Sequence, residues 1–323
     1  MNTSSLPLSA WITQQAARSA QLMQGGISAT HLTKVRAVFG TAVHPAKGSV
    51  LASPVDAAWD PEPDYFFHWP RDAAHVMHAL TVLAENARTT TARNKWNRHF
   101  SDIVDFSLKL NRQDGRAAAA AHKDRVKKTG KQFRQYLRPA DALAAITSDT
   151  VQGEPRFDPD GRVSILKWAG PQYDGVAARA HACMDHMDFL KAQKLPVKAN
   201  FVTLIRQDIE FTIRHADKEC IGLWEEDNEY DHHYYTVAAQ WAALSRAVDW
   251  ARAQGDAALS EKCRIVGNQL ARALEKHWQP QHSSYKYLRA RPVHDVTDGL
   301  DSAIIMAANH GRQEGLRHSP MDD

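Results

Sequence analysis

The sequence predicts an all-α fold in which helical hairpins follow one another around a ring. Apolar residues recur at spacings of three and four along most of the 323 residues, which is the periodicity of helices that bury one face. The alternating pattern of half-buried strands is scarce. The helical stretches come in consecutive pairs, and long connections rich in Gly, Pro and Trp separate the pairs. Long connections in a compact domain usually have a function, so these segments are where a site is expected.

The apolar periodicity places eight helices in order, with ends defined to within a few residues. They are predicted at about residues 8–24, 73–90, 92–112, 175–193, 197–216, 234–253, 257–278 and 300–310. The long connections fall at about 36–72, 113–173, 217–233 and 279–299. The repeating order of long connection, helix, short turn and helix predicts that the long connections gather at one rim, at the N-terminal ends of the inner helices. Residues 1–323 are interpreted as one domain.

A polar pair stands just before the first helix of each hairpin. The pairs are Arg71-Asp72, Asp174-Gly175, His232-His233 and Asp298-Gly299. A carboxylate at a helix N-terminus is favoured by the helix dipole, and helix capping alone accounts for each aspartate as well as a functional role does.

Composition excludes several classes of function. The 40 basic and 37 acidic residues leave a formal charge of +3, too small for the strong field of nucleic-acid-binding proteins. The three scattered cysteines, Cys183, Cys220 and Cys263, are expected to be reduced thiols. A secretory signal and a membrane span are not visible in the sequence, so a cytoplasmic protein without a membrane partner is expected. The histidines lack the spacing of zinc ligands, and we expect neither a metal nor a cofactor.

The segment 112–138 differs from the other connections because five alanines precede a group of basic residues. These are Lys123, Arg125, Lys127, Lys128, Lys131 and Arg134. A patch for an anionic partner is one interpretation. A solvated loop or helix face is favoured, because residues that stack on nucleic-acid bases are nearly absent.

Three clusters of aromatic and acidic residues lie in the long connections. They occupy residues 65–72 (YFFHWPRD), 167–175 (KWAGPQYDG) and 222–228 (GLWEEDN). Tryptophan suits the flat C–H faces of a sugar, whereas Arg and carboxylates suit its hydroxyl edges. A single Trp is more often part of the core than a platform for a ligand. Three Trp residues that each lie near a carboxylate favour a carbohydrate site.

The adjacent carboxylates Glu225 and Glu226 follow Trp224 in the third cluster. An indole that removes water, together with a like charge next door, raises the pKa of a carboxyl group toward the range of a general acid. An exposed acidic turn that continues through Asp227 and Glu229 is the alternative, and this segment alone favours it.

Taken together, these residues resemble successive motifs of the glucoamylases, glycoside hydrolase family 15. The match covers Ala52-Ser53-Pro54 and residues 65–72, then 168–175 with Arg179, then 223–226 followed by 234–236. The motifs occur in the family's order and spacing, from about Gly40 to the C-terminus. The resemblance implies an (α/α)6 barrel, exo-acting and inverting hydrolysis of α-1,4-glucosidic bonds, and release of β-glucose from an α-glucan or maltooligosaccharide.

The resemblance also implies roles for individual residues. Glu225 matches the general acid, Arg71 and Asp72 match the pair that binds hydroxyls of the terminal glucose, and Tyr65 matches the aromatic residue that lies against that sugar. The remaining matches are Trp69 and Trp168, which line the pocket, Trp224, which positions the acid, and Glu226, which binds substrate.

Two positions depart from the family pattern. Gly222 stands where many members have an Asp near the general acid, and Gly170 stands where an Arg is common. The family's second catalytic Glu has no counterpart up to Asp323, and Glu314 is not assigned this role. We therefore expect an incomplete barrel that lacks its last hairpins, with a general base beyond residue 323. By this coarse pattern of helices the chain supplies only some four to five hairpins, fewer than six.

An incomplete barrel without a base is expected to hydrolyse starch weakly or not at all, and to associate through uncovered apolar helix faces. The alternative to an enzyme is a catalytically silent carbohydrate-binding protein or a helical scaffold protein. A relative that acts on trehalose or dextran is the alternative within the same class.

Overall fold

The fold is mainly helical. The computed structural model describes residues 7–54, 64–226, 229–291, 294 and 299–310. Within these ranges the α-helices are α1 (Leu8–Gly25), α2 (Pro70–Glu85), α3 (Thr90–Leu110), α4 (Arg116–Lys128), α5 (Ala140–Ala144), α6 (Asp174–Ala192), α7 (Ala199–Arg214), α8 (Tyr234–Ala253), α9 (Ala257–Glu275) and α10 (Ser302–His310). Short antiparallel pairs are formed by β1 (Lys34–Arg36) with β2 (Thr41–Val43), β3 (Cys220–Ile221) with β4 (Tyr230–Asp231), and β5 (Trp278–Gln279) with β6 (Ser284–Tyr285).

Three helical hairpins form two concentric layers. Helix α2 packs on α3, α6 on α7, and α8 on α9, while α2, α6, α8 and α10 contact one another in sequence. Helices α6 and α8 bury 14 of 19 and 14 of 20 residues, whereas α9 buries 7 of 19. A helix that is buried on most faces belongs inside, and a helix with a single buried stripe belongs outside. Helices α6 and α8 are therefore inner helices, and α2 and α10, which contact them in sequence, continue the same layer.

The helix boundaries follow from local chemistry. Pro70 occupies the first turn of α2 after an extended Trp69, where its missing N–H costs nothing. The side chain of Thr89 accepts a hydrogen bond from the amide of Ala92 at the start of α3. Asp256 caps α9 in the same way through Leu259. Side-chain caps thus define the observed starts of α3 and α9, close to the starts predicted from apolar spacing at 92 and 257.

The prediction of an all-α barrel of hairpins is confirmed by this architecture. Within the described residues there are three complete hairpins, with α10 as the inner helix of a fourth. The predicted connection 113–173 contains α4 and α5. Helix α4 has no buried residue, in agreement with the solvated helix face favoured for the basic segment. None of the described helices is long and apolar enough to cross a membrane.

Candidate active site

The candidate site lies where three connections reach the N-terminal ends of inner helices. Trp69 precedes α2, and Arg71 and Asp72 lie in its first turn. Asp174 is the first residue of α6. Glu225 lies in the loop between β3 and β4, just ahead of α8. The position of the fourth predicted pair, Asp298-Gly299, cannot be compared with the prediction, because Asp298 is outside the described residues.

Gly175 allows the first turns of α2 and α6 to approach closely. A Cβ atom on this residue would lie 2.6 Å from the backbone nitrogen of Arg71. The approach places Nη1 of Arg71 3.7 Å from Oδ2 of Asp174. The absence of a side chain at position 175 thus brings these two charged groups of the site together.

Replacement of Gly175 by Ala is expected to lower the free energy of unfolding by about 1–3 kcal/mol, because one of the two helices must shift. Gly267→Ala in α9 is the matched control, since its Cβ would meet no atom closer than 3.9 Å. That control should raise stability by about 0.5–1 kcal/mol. Urea unfolding of both variants measures the difference. Equal midpoints for Gly175→Ala and the unchanged protein would contradict the close-approach argument.

A short strand-like pairing holds Trp69 in place. The amide of His68 donates to the carbonyl of Phe157, and the amide of Phe157 donates back. The buried His68 ring accepts a hydrogen bond from the amide of Val50 through Nδ1, at 3.0 Å. Burial, aided by the charge of Arg179, lowers the pKa of His68 to about 3. This ring is therefore neutral near pH 7 and has a structural role.

The Glu225 carboxylate accepts hydrogen bonds from four side chains. Nε1 of Trp69, Nη2 of Arg71 and Nε2 of Gln172 donate to Oε1 at 2.7, 3.1 and 3.1 Å. Nε1 of Trp168 donates to Oε2. The backbone of Glu225 has φ +60°, a conformation that is costly for a residue with a side chain and is concentrated at functional sites. The loop thus holds this carboxyl group in a defined position.

Arg71 is surrounded by three carboxylates. Its guanidinium lies 3.1 Å from Glu225 and 3.7 Å from both Asp72 and Asp174. Burial alone would lower the pKa of Arg71, but the three anions raise it. Burial raises the pKa of Asp72, while Arg71 opposes this change and Glu225 adds to it. The arrangement is a fixed cation that balances a cluster of acids.

The aromatic residues form a row beside the carboxylate. The ring of Tyr65 lies 6.0 Å from Trp69, and the Trp69 ring lies 5.9 Å from Trp168. Tyr65 is 46% exposed, which leaves its ring available for a ligand. A cavity of about 670 Å³ opens beside Glu225 and Trp168, with Tyr136 and Lys167 on its wall. This combination of aromatic faces and charged groups is suited to binding a sugar.

Trp224 and Glu226 differ in position from the residues above. Trp224 is 44% exposed, and its Nε1 donates to Asp301 at 2.8 Å, which ties the Glu225 loop to the start of α10. Glu226 is exposed, and its side chain forms a hydrogen bond with that of Glu229. Burial and this hydrogen bond raise the pKa of Glu229. The structure therefore brings Trp69, Arg71 and Trp168 onto Glu225, and places Trp224 and Glu226 on the outer side of the loop.

The site contains groups that the sequence analysis did not assign. Gln172 bridges Arg71, Gly222 and Glu225 through hydrogen bonds of 3.0–3.1 Å. It stands within the second aromatic cluster, but a neutral amide gives no chemical signal there. Tyr287 and His233 fill the space beside Gly222, because a Cβ on this glycine would lie 2.2 Å from the Tyr287 hydroxyl and 2.3 Å from Nδ1 of His233. The glycine is thus a requirement of the local packing.

The chain is similar to known proteins over most of its length. The profile of the glycosyl hydrolases family 15 matches residues 31–317. Glucoamylase S1 of Saccharomyces cerevisiae is 25% identical over 288 residues, which cover 83% of this chain and 32% of that protein. The chain therefore spans about a third of the length of this curated relative.

Solved structures show the same fold. The glucoamylase from Saccharomycopsis fibuligera has a TM-score of 0.69 at 18% identity, covering 100% of this chain and 62% of that chain. A glycosidase variant solved in complex with glucose has a TM-score of 0.60 at 17% identity, covering 99% of this chain and 68% of that one. The family match, the barrel architecture and the acid cluster lead to one conclusion: the chain belongs to glycoside hydrolase family 15.

Proposed function

We propose that the protein is an exo-acting, inverting α-glucan hydrolase of the glucan 1,4-α-glucosidase type, with Glu225 as its general acid. The observation that carries this proposal is the Glu225 carboxyl group, held between two indole N–H groups and a guanidinium at the edge of a cavity of about 670 Å³. Hydrolysis of a glycoside requires a carboxylic acid at this kind of position to protonate the departing oxygen.

The contacts suggest which oxygen of Glu225 carries the proton. Oε1 accepts from three donors, whereas Oε2 accepts only from Trp168 among the described residues. A protonated carboxyl group needs one oxygen that donates, so Oε2 is the better place for the proton. The proton passes to the glycosidic oxygen as the C1–O bond breaks, and the carboxylate that remains is stabilised by the donors on Oε1.

The other roles follow from charge and exposure. Tyr65, Trp69 and Trp168 provide apolar faces for the sugar ring. Asp72, with a side chain that is 38% exposed, accepts hydrogen bonds from hydroxyl groups beside Arg71. Glu226 contacts substrate on the outer side of the loop, where Trp224 fixes the loop to Asp301. Relatives that are named glucoamylases and the glucose complex of a structural neighbour support an α-glucan as the substrate.

An inverting reaction also needs a second carboxylate that activates water, about 6.5–9.5 Å from the acid. Asp174 is buried and, like Asp72, lies 3.7 Å from Arg71. Because both are engaged with this cation, neither is assigned as the base. No base is therefore assigned among the described residues.

Incubation with maltose, followed by ¹H NMR, tests the proposal. We expect slow glucose release, with the β anomer formed first. Maltose binding is measured in parallel through tryptophan fluorescence. Release of the α anomer would contradict inversion, and binding without any glucose would favour the silent carbohydrate-binding protein. Faster hydrolysis of trehalose or isomaltose than of maltose would assign a different substrate.

A further inference from the structure

Arg156 lies directly behind the aromatic residues of the site. Its neighbour Phe157 pairs with His68 through two backbone hydrogen bonds, and this pairing aligns the segment around Arg156 with the segment that carries Phe67 and Trp69. Arg156 is only 4% exposed. A buried guanidinium needs a compensating partner, because removal of a charge from water is costly.

Aromatic faces are the main partners of this guanidinium. Its Cζ atom lies 3.7 Å from the ring centre of Trp168, 4.0 Å from Phe67 and 5.4 Å from Trp69. Nη2 donates to the carbonyl of Lys167 at 3.3 Å, and Nε has no hydrogen-bond partner within the described chain.

Arg36 provides a direct contrast. It also lies over the Phe67 ring, at 3.9 Å, but it forms ion pairs of 2.7 Å with both Asp64 and Asp158. Among the described residues, no carboxylate lies within 4.0 Å of Arg156. The guanidinium of Arg156 therefore contacts aromatic faces, whereas that of Arg36 is paired directly with carboxylates.

The two indoles that face Arg156 are the same two that donate to Glu225. Trp69 donates to Oε1 and Trp168 donates to Oε2. We infer that Arg156 is a positioning residue, which orients Trp69 and Trp168 as donors to Glu225 and places its positive charge behind these rings. This inference rests on the proposed function of Glu225 as the general acid.

The physical basis has two parts. A guanidinium stacks on an indole with its plane against the ring, and this fixes the direction of the Nε1–H bond. A cation near the face also favours negative charge on the carboxylate at the ring edge. The charged groups that face Arg156 are Arg36, Asp64, Asp158 and Glu225. Those that face Glu225 are Arg71 and, around it, Asp72 and Asp174.

Two variants separate charge from shape. Arg156→Met keeps apolar contact and removes the charge, whereas Arg156→Lys keeps the charge and loses the planar stack. Arg162→Met is the matched control, since Arg162 lies in the same connection with a side chain that is 59% exposed. Each variant is assayed for glucose release from maltose between pH 4 and pH 8, together with its thermal unfolding.

A general acid works only while protonated, so activity falls as pH rises past its ionisation. Loss of a nearby cation disfavours the ionised form, and Arg156→Met should therefore move this alkaline limb upward by about one pH unit. Its kcat should fall roughly tenfold as the indoles lose their orientation. Arg156→Lys should keep the alkaline limb at the pH seen for the unchanged protein, but it should not recover the kcat of that protein. Arg162→Met should change neither.

A titration of tryptophan fluorescence gives a readout that does not need activity. The step that disappears in Glu225→Gln reports ionisation of Glu225 beside Trp69 and Trp168, and Arg156→Met should move that step upward. Equal losses in both Arg156 variants, with no movement of either pH midpoint, would overturn the inference and leave only a packing role. Maltose binding without glucose release by the unchanged protein would favour the silent carbohydrate-binding protein over the proposed function, while a shifted fluorescence step would still support the link between Arg156 and Glu225.

Discussion

Glu225→Gln is expected to lower the rate of glucose release from maltose by about 10²- to 10⁴-fold, the usual contribution of general acid catalysis. The amide has nearly the same shape but cannot protonate the departing oxygen. Maltose binding should change little, because the proposed binding site also includes Arg71, Asp72 and the aromatic row. Glucose release by NMR and binding by tryptophan fluorescence separate the two effects.

The amide has a second, smaller consequence that the hydrogen bonds define. Its oxygen can serve the three donors on the Oε1 side, but its NH₂ group then faces Nε1 of Trp168, which loses its acceptor. An unpaired donor in a partly buried position costs about 1–3 kcal/mol. Glu219→Gln, at a side chain that is 66% exposed, is the control and should change neither activity nor stability. Glucose release that survives in Glu225→Gln would remove Glu225 from the role of acid.

The helices could be predicted because their apolar positions recur with helical spacing. The predicted start at residue 234 is the observed start of α8, and the start at 175 differs by one residue from α6. Helix α4 was missed because five alanines and a run of basic residues give no apolar stripe. Helix α5 was missed because it has only five residues, too few for periodicity to register.

The site could be predicted only in part. Arg71, Trp168 and Glu225 are far apart in the chain, and their assembly follows from the rim at which the long connections meet. Gln172 carries no charge, and Arg156 is a single basic residue in a loop, so neither has a sequence signal. The role of Arg156 depends on the pairing of His68 with Phe157, a contact between distant segments that no local pattern encodes.

Arg71→Met is expected to lower the free energy of unfolding by about 3–5 kcal/mol, since it leaves a buried carboxylate without its cation. Asp174 is 1% exposed, and its Oδ2 atom has no hydrogen-bond partner within the described residues. The ion pair with Arg71 at 3.7 Å is the compensation that the structure provides for this atom. Arg246→Met is the control, because it breaks half-exposed pairs with Asp185 and Asp188 that are worth about 0–1 kcal/mol.

The pH dependence of this loss gives a sharper test. Without Arg71, the carboxyl groups of Asp72, Asp174 and Glu225 repel one another when they are ionised. Burial already raises the pKa of Asp72, and the cation that opposes this change in the unchanged protein is gone. A carboxyl group whose pKa is raised by folding favours the folded state below its unfolded pKa, and this contribution is lost as pH rises through the folded pKa. The stability deficit of Arg71→Met should therefore be smallest near pH 4 and grow toward pH 7.

A double-mutant cycle attributes the deficit to the proposed partner. In Arg71→Met combined with Asp174→Asn, the buried charge is gone together with its cation, and the loss at pH 7 should be smaller than the sum of the two single losses. Urea unfolding at both pH values measures all four proteins. Additive losses, or a deficit that does not vary with pH, would show that Arg71 stabilises the fold through packing alone, and the acid cluster around it would lose its electrostatic explanation.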